Sequence, residues 1–202
     1  MISPEQKLEE LILALCDELR WGLRFFYAEK VLYNSELRVI SRLFETFYLS
    51  CLDQSALILS RMVVAKRKHK DDSINIQYLL EQARKSPGLF HFCQPPEIER
   101  LAKTHFQLIE SHKSVIDVLE DQRDKNLTHL DLKHVNQPNW RENQTQLDLN
   151  QVEKLYRALV VIMTIYHRAF FGRDFEFGDW EKPSEAELES LIHFYEEYNS
   201  KE

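Results

Sequence analysis

The sequence predicts an all-α protein, and three observations carry that prediction. Only 4 glycines and 6 prolines punctuate 202 residues, too few for the closely spaced turns of a sandwich or barrel. Apolar residues recur in steps of three and four over stretches far longer than a strand. Helix-start signatures precede several of those stretches: Ser3-Pro4 with Gln6, Pro95-Pro96, Asp148, and Ser184 with Glu187. With 44% hydrophobic and 11% aromatic residues the chain has enough apolar surface to fold rather than remain disordered. Its length suits one domain over residues 1–202, with a core in 4–171 and a C-terminal helix at 185–198 packed on it.

The first helix is expected from Ser3-Pro4-Glu5-Gln6, where Ser3 caps, Pro4 fits the first helical position and Gln6 completes a capping box. Leu8, Leu11, Ile12, Leu15, Leu19, Leu23, Phe26 and Lys30 then share one face. Asn34-Ser35 marks the turn into a second long helix, Glu36 to Ala65, striped by Leu37, Ile40, Phe44, Phe47, Cys51, Ile58 and Met62; the two form an antiparallel hairpin. Lys66-Arg67-Lys68-His69-Lys70 followed by Asp71-Asp72 reads as a solvated connector, its acidic pair offsetting the basic run. Ser73 is the expected cap of a short helix carrying Ile76, Leu79, Leu80 and Ala83, which stops at Ser86-Pro87-Gly88; Phe90 and Phe92 then pin the loop to the core.

Pro95-Pro96 opens a long helix whose inward stripe runs through Ile98, Leu101, His105, Leu108, Ile109, His112, Val115, Ile116 and Leu119 to Arg123. Beyond Asn126 the periodicity fades into a polar stretch reaching Asp148, and so long a loop in a compact domain points to a role. Asp148 caps the most apolar helix, Leu149 to Phe171, with Val152, Leu155, Leu159, Ile162, Met163, Tyr166 and Phe170 inward and Gly172 as its stop. Ser184 with Glu187 opens the last helix, carrying Leu188, Leu191, Ile192 and Tyr195.

The formal charge of −7 excludes a broad basic field, so any nucleic-acid contact must be local. Cys16, Cys51 and Cys93 are odd in number, far apart and in no metal-type pair, which suits a reducing compartment. The N-terminal stretch lacks a basic region and its apolar run is broken by Glu9 and Glu10. The longest uninterrupted apolar run, Ala158 to Met163, falls far short of the roughly 20 residues that span a bilayer. A cytoplasmic protein with no membrane anchor is therefore expected. There is no phosphate-cradling glycine loop, nucleophile elbow or zinc-type cysteine pair, so P-loop nucleotide hydrolysis is excluded and no cofactor or metal is expected.

Arg123-Asp124-Lys125-Asn126-Leu127-Thr128-His129 is the segment that best suits chemistry: a cation ends a buried stripe and a histidine follows. On a continuous helix, residues six apart diverge by about 120°, so Arg123 and His129 converge only if the helix ends between them. Asn126 suits a left-handed helix end. A histidine can shuttle the 2′-hydroxyl or leaving-oxygen proton of RNA, and a guanidinium can hold its phosphate at two points. Asp124 can orient either partner, while Lys125 and Asn126 can reach phosphate or sugar. Spacing alone is weak. Arg84 with His91 and Arg100 with His105 also satisfy it, where about one or two such pairs are expected by chance; only Arg123 is followed by a short polar residue.

RDKNLTHLD resembles the signature of the HEPN superfamily (higher eukaryote and prokaryote nucleotide-binding), an arginine and a polar residue followed a few positions later by histidine. The N-terminal hairpin, the segments LILSRM and SINIQYLL, and a helix ending in RDKNLTHLD are together similar to abortive-infection AbiU-type HEPN proteins, over most of residues 10–171. The resemblance implies an all-α bundle of five to six helices that commonly dimerises, and a metal-independent ribonuclease whose Arg and His meet near the dimer interface. Arg123 and His129 would then be catalytic and Asp124 supporting, with RNA as substrate and an antitoxin protein as a further partner.

Two other readings compete. The chain could be a non-catalytic HEPN scaffold that binds RNA or a partner, with Arg123 capping helix carbonyls and His129 an ordinary loop residue. It could instead be a metal-dependent helical-bundle hydrolase using His105, His112, His134 or His167; His105 and His112, two turns apart on one face, are about 10.5 Å apart at Cα, awkward for one ion. Trp21, Trp140 and Trp180 suit core, interface or base stacking, with core the default at helical spacing.

Overall fold

The structure is a computed structural model and describes residues 2–33, 42–64, 75–123, 147–177, 189–190 and 193. Among them run six α-helices and no strand: α1 (Pro4–Tyr33), α2 (Arg42–Val63), α3 (Ile76–Lys85), α4 (Pro95–Glu110), α5 (Lys113–Gln122) and α6 (Leu149–Phe171), with a 3₁₀ turn at Pro87–Leu89. The all-α expectation holds. The chain divides into two compact units, Met1–Leu19 with Leu57–Phe175 and Arg20–Ala56 with Glu176–Glu202.

Helix ends follow local chemistry. The Ser3/Gln6 capping box forms in both directions: Ser3 N–H donates to Gln6 Oε1 (2.9 Å) and Gln6 N–H to Ser3 Oγ (3.1 Å). Asp148 caps α6 by accepting from Asn150 N–H at 2.9 Å. The cap of α3 is Asn75, whose Oδ1 accepts from Tyr78 N–H at 2.8 Å; the expected cap Ser73 lies outside the described residues. So do Asn34-Ser35, the charged connector, the polar loop at 124–146, and Ser184 and Glu187 of the last capping box.

In the first unit α3 packs along α4, the 3₁₀ turn touches both, and α4 packs on α6. Every expected inward residue of α3 and α6 is buried, from Ile76 and Leu80 to Leu159 and Tyr166. Phe90 seals the turn at 1% exposure, but Phe92 does not: it is 65% exposed, its N–H donates to Ala169 O (2.9 Å), and its ring lies on Gly172. Gly172 ends α6 at φ 71°, and a Cβ there would stand 2.7 Å from Phe92 Cε1. Gly172→Ala is therefore expected to cost about 1–2 kcal/mol, read as a lower urea midpoint, because it combines left-handed backbone with displacement of the ring. An unchanged midpoint would refute this account of the helix end.

The second unit is a smaller pairing of α1 with α2, cored by Leu32, Phe44 and Cys51 against Phe25, Ala28, Val31 and Tyr48. Two expected positions are corrected there. Phe47 is exposed, and the residue that continues α1's buried stripe after Phe26 is Glu29, at 3% exposure, rather than Lys30, which is only half-buried. From Phe26 a step of three reaches Glu29 and a step of four reaches Lys30, so periodicity admits both and packing decides.

Candidate functional site

The long helix expected from Pro95 to Asn126 is two helices. At Ser111 and His112 the backbone tightens into a 3₁₀ turn: His112 N–H donates to Ile109 O (3.0 Å), and Ser111 Oγ donates to Leu108 O (2.6 Å). The buried face shifts across this turn. Ile98, Ala102, His105 and Ile109 are buried before it and Val115 and Leu119 after it, while Leu101, Leu108, His112 and Ile116 are half-buried.

Arg123 is the C-cap of α5, with φ −58° and ψ −49°, and its N–H donates to the carbonyls of Leu119 and Glu120. It follows Leu119 by four residues and Val115 by eight, so it continues their stripe, and it is half-buried. The α-helical bounds of α5 are Lys113–Gln122, Arg123 keeps helical dihedrals, and the expected stop at Asn126 lies outside the described residues. Asp124, Lys125, Asn126 and His129 lie outside the described residues.

His105 Nδ1 of α4 and Tyr166 Oη of α6 share a 3.3 Å hydrogen bond. At the junction of α4 and α5, burial and then the charge of Lys154 on α6 lower the proton affinity of His112. From His105 to His112 numbering rises while on α6 it falls from Tyr166 to Lys154, so α4 runs antiparallel to α6.

The histidines of the rival Arg–His pairs are engaged elsewhere. Arg100 is exposed beside Glu97 (3.8 Å), whereas His105 is buried against Tyr166, its proton affinity lowered by desolvation. His91 pairs with Glu5 at 2.9 Å.

The metal-hydrolase histidines are also accounted for. His167 is 4% exposed, donates from Nδ1 to the Arg173 carbonyl (2.9 Å) and packs its ring on Phe171 and Phe175. His105 is spent on Tyr166, and His134 lies outside the described residues. Among the described residues no group of three His, Cys, Asp or Glu side chains is arranged to hold a metal ion.

The decisive observation is of the chain as a whole: the AbiU2 model of HEPN proteins matches residues 5–200. The chain belongs to the AbiU2 family of HEPN proteins. No curated protein and no solved structure matches it. The match takes in all six helices but for the first residue of α1, and with them Arg123 and the segment through His129 that bears the HEPN-like pattern. No helix among the described residues of this AbiU2-family chain is long and apolar enough to cross a membrane.

One chemically loaded residue had no sequence signal of its own. Burial first, and then the charge of Asp53, push the Glu29 carboxyl up to about 8. A glutamate beside a lysine on an otherwise apolar stripe reads as the edge of that stripe until the partner helix is known.

Proposed function

We propose that this AbiU2-family chain is a metal-independent endoribonuclease of a phage-defence or toxin–antitoxin system, acting in the cytoplasm as a homodimer. What supports the reading is the half-buried Arg123 at the end of α5's apolar stripe, with His129 six residues on, in a chain of HEPN family. Arg123 grips a phosphate by two parallel N–H donors and stabilises the charge that builds on it during cleavage. His129 relays a proton: the ribose 2′-oxygen bonds to phosphorus, the 5′-oxygen leaves with a proton, and the products are a 2′,3′-cyclic phosphate and a 5′-hydroxyl. Asp124 positions His129 or Arg123 by accepting a hydrogen bond, and Lys125 and Asn126 contact the RNA backbone. A twofold pairing of two Arg–His sets widens the cationic cleft in a chain of net charge −7.

The test is incubation of the purified chain with total cellular RNA in EDTA, with the product ends mapped. Products ending in 5′-hydroxyl and cyclic or 3′-phosphate are expected. Intact RNA in the presence of a folded dimer would favour an RNA- or partner-binding scaffold, and cleavage that EDTA abolishes would favour a metal-dependent enzyme.

A further inference from the structure

We propose that the pairing of α1 with α2 is a proton-dependent latch: it stays closed while the Glu29 carboxyl is neutral, and ionisation of that carboxyl opens the second unit while the first, which holds α3 to α6, remains folded. The latch goes beyond the ribonuclease reading and does not depend on it, because it lies in a part of the chain that does not carry Arg123.

Its geometry begins with one side chain. Glu29 follows Phe26 by three residues and precedes Leu32 by three, so it shares their buried face, and at 3% exposure it is as enclosed as they are. Among the described residues it is the only Asp or Glu that is buried. Around it the unit is apolar, with Leu32 and Phe44 packed against Phe25, Ala28, Val31 and Tyr48. The titratable groups that face it from α2 are the Asp53 carboxylate and the Cys51 thiol. Lys30, next in the chain, leaves the helix about 100° away. Among the described residues no cation pairs with the Glu29 carboxyl and no donor hydrogen-bonds to it. Ionised in place, it would be a buried charge with no counter-charge and a second negative group beside it. A folded unit avoids that state either by keeping the proton or by opening.

Opening is confined to this unit because the strain is. In the first unit α3 packs on α4 and α4 on α6, and no carboxyl is buried among its described residues. Its buried histidines, His105 and His167, bond to Tyr166 and to the Arg173 carbonyl, and raising the pH can only discharge an imidazole. The second unit alone gains a buried charge, and compact units of one chain can open separately.

The direction follows from the two states. Burial, and then Asp53, raise the Glu29 carboxyl from 4.5 to about 8 while the unit is closed, and opening returns it to water. Between those values each rise of one pH unit increases the ratio of open to closed about tenfold, and above about 8 the ratio levels off. The latch therefore holds at low pH and loosens as the pH rises.

The test is hydrogen exchange of the full-length chain between about pH 5 and pH 9, resolved by peptide mass spectrometry and divided by the intrinsic exchange rate at each pH. Amides of 22–33 and 44–56 are expected to lose protection about tenfold per pH unit up to about pH 8, while those of 76–85, 98–110 and 152–171 keep theirs. Glu29→Gln is expected to abolish the decline. Alkylation gives a second reading in the same chain, since Cys51 lies in the second unit and Cys16, equally buried, in the first. Relative to the urea-unfolded chain at the same pH, Cys51 is expected to become more reactive as the pH rises in wild type but not in Glu29→Gln, and Cys16 to stay constant. Should Glu29→Gln not fold, Glu29→Leu supplies the uncharged variant and the contrast between the two wild-type cysteines decides.

A loss of protection shared by both units, a decline in the uncharged variant as steep as in wild type, or wild-type protection that does not change with pH would overturn the proposal. Neither reading involves RNA, so failure of the ribonuclease reading leaves both outcomes unaffected.

Discussion

Arg123→Ala and His129→Ala are each expected to lower RNA cleavage by about 10²–10⁴-fold while leaving far-UV circular dichroism unchanged. The magnitude follows from the roles. Removing the histidine removes proton transfer at the attacking and leaving oxygens, and removing the guanidinium removes a preorganised clamp on the charge of the transition state. Folding survives because the last turn of α5 is closed by the main chain: the Arg123 N–H reaches the carbonyls of Leu119 and Glu120, and alanine keeps that donor. Arg123→Lys keeps the charge but not the planar fork, so it is expected to remain well below wild type. The double variant should lose little more than the worse single one, since groups acting on one transition state are not additive. Loss of helicity in either alanine variant, or cleavage within a few-fold of wild type, would return Arg123 to the role of a helix cap.

The second large effect concerns stability. Glu29 sits at 3% exposure in the α1–α2 pairing, and its carboxyl is pushed from 4.5 up to about 8, first by burial and second by Asp53. Because the folded value is the higher one, the stabilisation is fully present below about 4.5 and is lost as pH rises through about 8. A tenfold difference in proton affinity between the folded and unfolded chain corresponds to about 1.4 kcal/mol, so the loss across that window is on the order of a few kcal/mol.

Glu29→Gln keeps the shape and removes the titration. It is expected to match wild type near pH 4.5 and to exceed it by a few kcal/mol at pH 8–9, in urea unfolding at each pH. Asp53→Asn should end the decline at a lower pH and make it smaller: with the neighbouring charge gone, burial alone raises the Glu29 carboxyl, which ionises more easily in the fold. The Cys51 thiol, pushed up to about 11 by burial and then by Glu29, should resist alkylation while the unit is folded. Parallel stability–pH curves for wild type and Glu29→Gln would refute the assignment of a buried neutral acid.

Much of this architecture is written in residues only three or four apart. The Ser3–Gln6 box, the Asp148 cap and the left-handed stop at Gly172 are interactions within one turn, and each forms where the sequence places it. The stripes of α3 and α6 are equally plain, because both helices bury a broad face in which every apolar step of three or four is used. Arg123 was likewise identifiable as the cation ending a buried stripe, since its relation to Val115 and Leu119 is a matter of helical phase.

What lay beyond one turn needed the partners. Only the folded chain reveals the 3₁₀ turn at Ser111–His112 and the shift of the buried face across it. Phe90 and Phe92 are the same residue type two positions apart, yet one meets Tyr166 and Phe170 and the other lies in solvent over Gly172. Glu29 goes inside where Lys30 stays at the edge, and Trp21 stays outside where spacing favours a core. By itself the sequence determined the fold class, the starts of α1 and α6, the stop at Gly172, and the cation at the head of the HEPN-like segment. Tertiary structure alone decided which of several equivalent faces met a neighbour, because burial is a property of two surfaces and periodicity describes only one of them.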